Sequence, residues 1–275
     1  MSLDPFLENF SIDLDDEEPD SFDCEEKGID ALPEGVLSAP RLASVEELFL
    51  DQNSLTSLPE DLGALEKLRE LNVRNNALTS LPTSLGKLRA LEGLFASGNQ
   101  LRELPESIGA CSSLAGINAN ENRLTGFPAS LCACTAMEGL YGDSNEIAEL
   151  PENFGALTNL DEVSLNKNHL NLLPPSIGAI ANLRMLRLAH NRLAMLPKEI
   201  GQLAKLKGLF LDFNRLSRLP EEGGGRGMLE DVRAPARRAR PPRPPVAPAP
   251  APVSEPAAAA AGRRAAAAAR RPPQF

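Results

Sequence analysis

Apolar residues recur through the middle of the chain with a period of 23 residues, in the pattern L-x-x-L-x-L-x-x-N-x-L-x-x-L-P-x-x-L-G-x-L. The first copy begins at Val45, and the eighth stays in register as far as Leu219-Pro220. A unit this short cannot bury its apolar face alone, so repeated copies stack and share one core. The period therefore predicts a solenoid with eight regular coils.

The spacing inside one coil indicates its local structure. Leu48 and Leu50 alternate with period two, which predicts a short strand that points both leucines inward. Pro59 has a fixed φ and no N–H, so it suits a turn after the strand. Leu62 and Leu65 lie three residues apart, which favours a short helical or 3₁₀ return segment. Each coil should therefore contribute one strand and one return segment.

An asparagine follows every predicted strand at the same position. The eight are Asn53, Asn76, Asn99, Asn122, Asn145, Asn168, Asn191 and Asn214. A side-chain amide both donates and accepts, so stacked copies can satisfy turn backbone groups that would otherwise be buried without partners. We therefore expect a structural asparagine ladder and not a binding site.

With this spacing, residues 45–220 resemble the leucine-rich-repeat family. The resemblance implies an α/β fold class: a right-handed solenoid, or horseshoe, with a parallel concave sheet and a convex side of short helical or irregular segments. The L-P-x-x-I-G-x-L ending is similar to that of intracellular Ras-group and Scribble/Erbin-like scaffolds. That resemblance alone suggests small GTPases or phosphatase catalytic subunits as partners.

The pattern divides the chain into four regions. They are an acidic disordered N-terminus (1–18), a degenerate N-terminal capping repeat (19–44), eight repeats (45–222) and an Ala/Pro/Arg-rich disordered tail (223–275). In the capping repeat, Phe22, Cys24 and Leu32-Pro33 align with the regular positions at an offset of 26 residues. With this cap, the concave sheet is predicted to have nine strands.

The tail begins in mid-repeat, at the run that starts with Gly223. It carries almost no apolar side chain larger than alanine, so it cannot bury enough surface to order itself. Two interpretations stay open, a genuine basic arm or an error in the gene model such as a wrong reading frame. The break inside a repeat favours the second.

Three cysteines lie close together in the third and fourth coils. Cys111 and Cys134 replace a core leucine in consecutive repeats, which favours core packing over a disulfide. Cys132 lies between core positions and is expected to be exposed. The pair Cys132 and Cys134 has neither zinc spacing nor histidine partners.

The net charge and composition indicate the cellular compartment and the class of partner. The net charge is -10, and no signal peptide or spanning segment is recognised, so we expect a cytoplasmic protein without a membrane span. The tail has basic clusters, but the chain is acidic and no aromatic residues interleave with them, so no nucleic acid is expected. We expect a monomer.

No constellation for catalysis is recognisable in the sequence. The two histidines, His169 and His190, have no nucleophile or metal-ligand pattern beside them. The sequence predicts a protein that is not an enzyme, with no cofactor and no metal.

Surface positions on the concave face carry the functional hypothesis. The candidate partner-binding residues are Phe49, Asn72, Phe95, Asn118, Tyr141, Arg187, Phe210 and Phe213. Aromatic side chains at positions where the repeat demands none are typical of interfaces. Gly93, Gly116 and Gly139 leave low relief between an acidic N-terminal end and a more basic C-terminal end.

The predicted function is a non-catalytic scaffold that binds a protein partner, in intracellular signalling by resemblance. The alternative is a regulatory fragment of a larger multidomain signalling enzyme, truncated by a frame error.

Overall fold

A computed structural model describes residues 20–217 and the backbone of 231–233, and the fold of these residues is one parallel sheet. Ten three-residue strands pair in chain order. They are β1 (Ser21–Asp23), β2 (Glu47–Phe49), β3 (Glu70–Asn72), β4 (Gly93–Phe95), β5 (Gly116–Asn118), β6 (Gly139–Tyr141), β7 (Glu162–Ser164), β8 (Met185–Arg187), β9 (Gly208–Phe210) and β10 (Asp231–Arg233). The leucine-rich-repeat solenoid predicted from the sequence is confirmed.

On the side of the coils opposite the sheet, every helix within residues 20–217 is a short 3₁₀ helix. They are η1 (Pro40–Leu42), η2 (Glu60–Ala64), η3 (Thr83–Lys87), η4 (Glu106–Ala110), η5 (Ala129–Ala133), η6 (Phe154–Ala156), η7 (Pro175–Ala179) and η8 (Lys198–Gln202). The repeat proline stands in an extended conformation just before most of them, as Pro59 does before η2 at φ -75° and ψ 156°. The extended proline turns the chain from the strand side into the helix.

The core is a continuous column of aliphatic side chains between the sheet and the 3₁₀ helices. The 23-residue register pairs Leu48 with Leu71 and Leu71 with Leu94, and all three are fully buried. Because every coil presents the same side chain at the same height, each coil closes the core of its neighbour.

The asparagines lie in a ladder beside this column. Asn122 donates from Nδ2 to the carbonyl oxygens of Ala96 and Ala119 at 2.9 and 3.2 Å. Its Oδ1 accepts from the backbone N–H of Leu101 at 2.9 Å. The same bonds recur from Asn53 to Asn214, so one amide joins two coils at each step.

The N-terminal coil continues the sheet with its larger offset. Phe22 of β1 pairs with Leu48 and is buried, and Cys24 is buried beside it. The carboxylate of Asp61 accepts from the backbone N–H of Leu37 at 3.0 Å and joins this coil to the first regular repeat. The predicted acidic N-terminus, residues 1–18, lies outside the described residues.

The sheet has one strand more than the nine predicted. Asp231 of β10 pairs with Gly208 of β9, again 23 residues away. The sequence signal was Leu229-x-x-Val232-x-Ala234, which repeats the strand pattern L-x-x-L-x-L one period later. These three strand residues fall within the segment assigned to the tail; the remainder of 223–275 lies outside the described residues.

The structure corrects the expectation that Cys132 is exposed, because its side chain is only 3% exposed. Cys132 occupies the position where the other coils have glycine, such as Gly109, and this position packs against the next coil. The next 3₁₀ helix, η6, has three residues where its neighbours have five and begins at Phe154.

Cys111 and Cys134 are buried and free, as are the other cysteines among the described residues. The Cys111 thiol donates to the carbonyl oxygen of Leu85 and the Cys134 thiol to that of Ile108, each at 3.3 Å. Burial raises the pKa of both thiols to about 11. They therefore act as core side chains.

Candidate functional site

The last residues of the three-residue strands form one row across the concave face of the sheet. The backbone pairings place seven of the predicted site residues in register along this row. They are Phe49, Asn72, Phe95, Asn118, Tyr141, Arg187 and Phe210, one on each strand from β2 to β9 except β7. The row also contains Asp23 and Ser164. The sheet therefore brings seven of the eight predicted residues onto one surface.

Three aromatic rings in this row lie against a glycine of their own strand. A β-carbon added to Gly93 would lie 3.0 Å from the ring of Phe95, and one added to Gly139 would lie 3.0 Å from the ring of Tyr141. The same construction on Gly208 meets Phe210 at 2.9 Å. The rings therefore fold back along the strand and are half-buried.

Guanidinium groups cover two of these rings. The Arg74 guanidinium carbon lies 4.3 Å from the ring centroid of Phe95, and that of Arg187 lies 5.6 Å from the centroid of Phe210. Such cation–π contacts hold the cation and the ring in fixed positions. Arginine side chains thus stack on two of the three aromatic rings of the concave face.

Tyr141 joins the same network through a carboxylate. Its hydroxyl donates to Oε2 of Glu162 at 3.2 Å, and Arg187 forms an ion pair with Oε1 of Glu162. Since Arg187 also covers Phe210, a chain of polar contacts runs from β6 to β9. Side chains held this way lose little conformational freedom when a partner binds.

Two row positions have little surface to offer. Asn72 is 8% exposed, and its Oδ1 accepts from the backbone N–H of Arg74 at 3.3 Å. Ser164 is 4% exposed, and its hydroxyl donates to Asp143 at 2.8 Å. The surface for a partner is concentrated on the aromatic residues, Asn118 and Arg187.

Phe213 lies outside the row, in the turn after β9. Its side chain is 71% exposed, and its ring stacks on that of His190 with centroids 4.2 Å apart. Its φ of 57° is in the left-handed region, which is costly for a bulky residue. Neither burial nor backbone preference explains phenylalanine there.

A trough of about 590 Å³ lies along the N-terminal ends of the strands. Gly93, Gly116 and Gly139 are neighbours on β4, β5 and β6 and line it, and Phe95 and Tyr141 border it. Its acidic lining residues are Glu46, Glu47, Glu70, Glu92, Glu138, Asp161 and Glu162. The acidic surface thus extends to β7, farther than the charge pattern along the sequence indicated.

Basic side chains neutralise part of this acidic lining. Arg69 bridges Glu46 and Glu92 at 3.4 and 2.9 Å, and Arg184 lies 3.7 Å from Asp161. The remaining carboxylates, those of Glu47, Glu70 and Glu138, form no ion pair or hydrogen bond with a described residue. The trough therefore keeps a negative charge.

Glu47 and Glu70 lie directly opposite each other on β2 and β3. Burial, and then the charge of Glu47, raise the pKa of Glu70, while Arg74 lowers it. Like charges opposite each other on neighbouring strands are destabilising, so the fold does not explain this pair.

The sequence analysis missed a second polar ladder at the other end of the strands. Asn120 Oδ1 accepts from the backbone N–H of Asp143 at 2.6 Å, and Asp143 Oδ1 accepts from that of Asn166 at 2.7 Å. Asn166 in turn accepts from Ala189 at 2.8 Å. The available signal was a column of amide and carboxylate residues 23 positions apart.

Residues 20–217 contain neither a metal-binding cluster nor a membrane-spanning helix. Within residues 20–217, no group of three or more His, Cys, Asp and Glu residues is arranged to hold a metal ion. In the same part of the chain, no helix is long and apolar enough to cross a membrane.

Comparisons with known proteins agree with this architecture. A family profile described as "Leucine rich repeat" matches residues 43–101. No curated protein matches the chain significantly.

Three solved structures give the scale of the similarity. A leucine-rich-repeat protein of Leptospira interrogans is 27% identical with a TM-score of 0.64, covering 80% of this chain and 60% of its own. The plant peptide hormone receptor RGFR1, solved in complex with RGF2, is 29% identical with a TM-score of 0.64 and coverages of 71% and 33%. The effector YopM of Yersinia pestis is 32% identical with a TM-score of 0.56 and coverages of 64% and 46%.

This chain thus spans between 33% and 60% of the length of those proteins. The asparagine ladder, the 23-residue strand register, the family match and the structural relatives agree with one another. The described residues have the leucine-rich-repeat fold, and residues 43–101 match the family profile.

Proposed function

We propose that this chain is a non-catalytic scaffold that binds a protein partner on its concave face. Leucine-rich-repeat folds commonly mediate protein–protein interactions. The observation that carries the proposal is the set of three rings, Phe95, Tyr141 and Phe210, each held against a glycine on the concave face of the sheet. Glycine weakens a strand, so these strands give up stability to hold an aromatic ring at the surface.

The rigidity of the row supports the same conclusion. Cation–π contacts hold Phe95 and Phe210, and a hydrogen bond to Glu162 holds Tyr141. Aromatic residues fixed before binding are the usual centres of binding energy at interfaces, because little entropy is lost in ordering them.

The class of partner rests on the resemblance. The L-P-x-x-I-G-x-L ending supports an intracellular, cytoplasmic scaffold of the Ras-group or Scribble/Erbin type, acting as a monomer in signal transduction. Small GTPases and phosphatase catalytic subunits are the first partners to test. The related receptor RGFR1 was solved with a bound peptide hormone, RGF2, which supports recognition of an extended polypeptide here.

The test is a direct binding measurement with a purified partner obtained by affinity capture or from a panel of these two classes. The triple variant F95A/Y141A/F210A should weaken the affinity more than about tenfold, because it removes the central contacts. The matched control is L172A/M195A, since Leu172 and Met195 are 58% and 60% exposed but lie outside the concave row. Equal affinity in the triple variant and the wild type would contradict the proposal.

A further inference from the structure

Gly116 is a glycine that the fold does not require. A β-carbon on Gly116 would meet nothing within 4 Å, whereas one on Gly93 or Gly139 would meet the aromatic ring of its own strand. The residue two positions on is Asn118, so no ring folds back over Gly116. A strand interior gains from a side chain, and an unexplained glycine there often marks a close approach of a ligand or another backbone.

The position of Gly116 shows what it leaves open. It lies on β5 in the middle of the trough floor, between Gly93 and Gly139. Two strand spacings separate β4 from β6, or about 10 Å, so the three glycines leave a stretch of the trough floor of that length without side chains. Any side chain at Gly116 would stand in that space.

The charge of the trough selects the occupant. Glu47, Glu70 and Glu138 form no ion pair with a described basic residue, although Arg74 lies near enough to Glu70 to lower its pKa, and Glu47 and Glu70 face each other on adjacent strands. A cationic segment would relieve that repulsion, while an acidic protein or a nucleic acid would increase it. Carboxylates spread over several strands suit several cationic side chains along one segment better than a single ion.

The aromatic border favours arginine over lysine. Arg74 already stacks on Phe95 and Arg187 on Phe210, while the described residues place no guanidinium over Tyr141. A guanidinium is planar and weakly hydrated, so it can stack on a ring and still donate to a carboxylate, which an ammonium group does less well. A partner's arginine would cover Tyr141 as Arg74 covers Phe95.

We propose that the trough over Gly93, Gly116 and Gly139 receives an extended, arginine-rich segment of the protein partner. The guanidinium groups bind Glu47, Glu70 and Glu138, and one of them stacks on Tyr141. This inference rests on the proposed function and specifies the chemistry of the partner.

The test uses the full chain and a fluorescein-labelled twelve-residue peptide that alternates arginine and serine. Lysine–serine and glutamate–serine peptides of equal length are the comparison probes. Fluorescence anisotropy should show binding of the arginine peptide, several-fold weaker binding of the lysine peptide and none of the glutamate peptide. Equal binding of the arginine and lysine peptides would overturn the assignment of arginine.

Two variants locate the bound peptide. Gly116→Val fills the floor with a residue that suits a strand, and it should weaken binding at least tenfold while circular dichroism and thermal stability stay unchanged. E70Q/E138Q removes two unpaired carboxylates and should also weaken binding at least tenfold. The control E103Q/E149Q makes the same charge change at exposed residues outside the trough and should leave the affinity within about twofold.

The outcomes separate this inference from the proposed function. Equal loss in E103Q/E149Q and E70Q/E138Q, or full binding in Gly116→Val, would show attraction by net charge and overturn the trough. If a purified partner loses affinity in F95A/Y141A/F210A but not in Gly116→Val or E70Q/E138Q, the scaffold function stands and the arginine segment is rejected. If neither set of variants affects the partner, the concave face is not its binding surface and both proposals fail.

Discussion

Gly109 packs so closely against Ser130 of the next coil that a β-carbon on Gly109 would lie 2.5 Å from the carbonyl oxygen of Ser130. The repeated glycine of the L-G-x-L motif therefore sets the distance between neighbouring 3₁₀ helices. Backbone cannot move aside as a flexible side chain can, so this contact should tolerate no added atom.

Gly109→Ala should accordingly destabilise the fold by about 1–3 kcal/mol, since it forces the two helices apart. Urea unfolding monitored by circular dichroism measures the change. Gly116→Ala is the matched control, because its β-carbon meets open space, and it should be neutral or stabilising by up to about 1 kcal/mol. A Gly109→Ala variant as stable as the wild type would contradict the close packing of Gly109 against Ser130.

The asparagine ladder makes a second prediction. Asn122→Ala should lower the free energy of unfolding by about 1–3 kcal/mol, because it leaves the Leu101 N–H buried without a partner and removes one hydrogen bond from each of the Ala96 and Ala119 carbonyl oxygens. Asn118→Ala, on the concave surface of the strand that precedes Asn122 in the same coil, should change it by less than about 0.5 kcal/mol. Equal effects of the two substitutions in urea unfolding would show that the ladder does not hold the coils together.

Buried thiols should protect the cysteines from modification. Cys111 and Cys134 have pKa values near 11 in the folded chain because burial disfavours the thiolate. At pH 8 both should therefore react with a disulfide reagent only as fast as the chain unfolds, and mild urea should accelerate the reaction. Rapid labelling of either residue in native buffer, identified by peptide mass, would place its thiol at the surface.

The same pKa values set a direction for stability at high pH. The folded pKa of Cys111 is raised above the ordinary value of 9.0, so the folded state binds the proton more tightly than the unfolded state. Its contribution to stability is complete below pH 9 and is lost as the pH rises through about 11. Cys111→Ala should therefore show a smaller decline in melting temperature between pH 9 and pH 11 than the wild type.

Glu70→Gln tests the repulsion in the trough. The pKa of Glu70 is raised, so its ionised form costs stability at neutral pH, and that cost disappears as the pH falls below 4.5. The variant should be more stable than the wild type at pH 7, by less than about 1 kcal/mol because the site is partly solvated, and equal to it at pH 4. Glu103→Gln, at an exposed position, should show no such pH dependence.

The sequence pattern predicted the coils because every core position repeats with one period. Leu48 and Leu50 could be assigned to a strand from their alternation alone, and Asn53 to a ladder from its hydrogen-bonding capacity. The arrangement of Phe95 over Gly93 was not predictable in this way, since an alternation of period two only places both residues on the concave face of the strand. The direction of the ring depends on contacts that the repeat does not specify.

Cys132 shows where pattern reasoning gave the wrong result. Its place between the core positions Leu131 and Cys134 suggested exposure, but the glycine position it occupies packs against the next coil. The period itself carried the better signal, because Gly109 and Gly155 stand one repeat before and after Cys132. Comparison along the 23-residue column would have predicted burial.

β10 bears on the second interpretation of the tail, a reading-frame error near Gly223. The strand Asp231–Arg233 keeps the 23-residue register to β9, and Leu229-x-x-Val232 keeps the spacing of the strand motif. A change of frame at Gly223 would restore both features only by coincidence. The register therefore supports one continuous frame at least as far as β10.

Removal of β10 should expose the edge of β9. A chain ending at residue 222 should show faster amide hydrogen exchange within Gly208–Phe210 than the full chain, because the backbone groups that face β10 lose their partners. Exchange at β5 (Gly116–Asn118), five strands from β10, is the internal control and should not change. Identical exchange at Gly208–Phe210 in both chains would show that residues 231–233 do not pair with the sheet, and it would return the frame error to consideration.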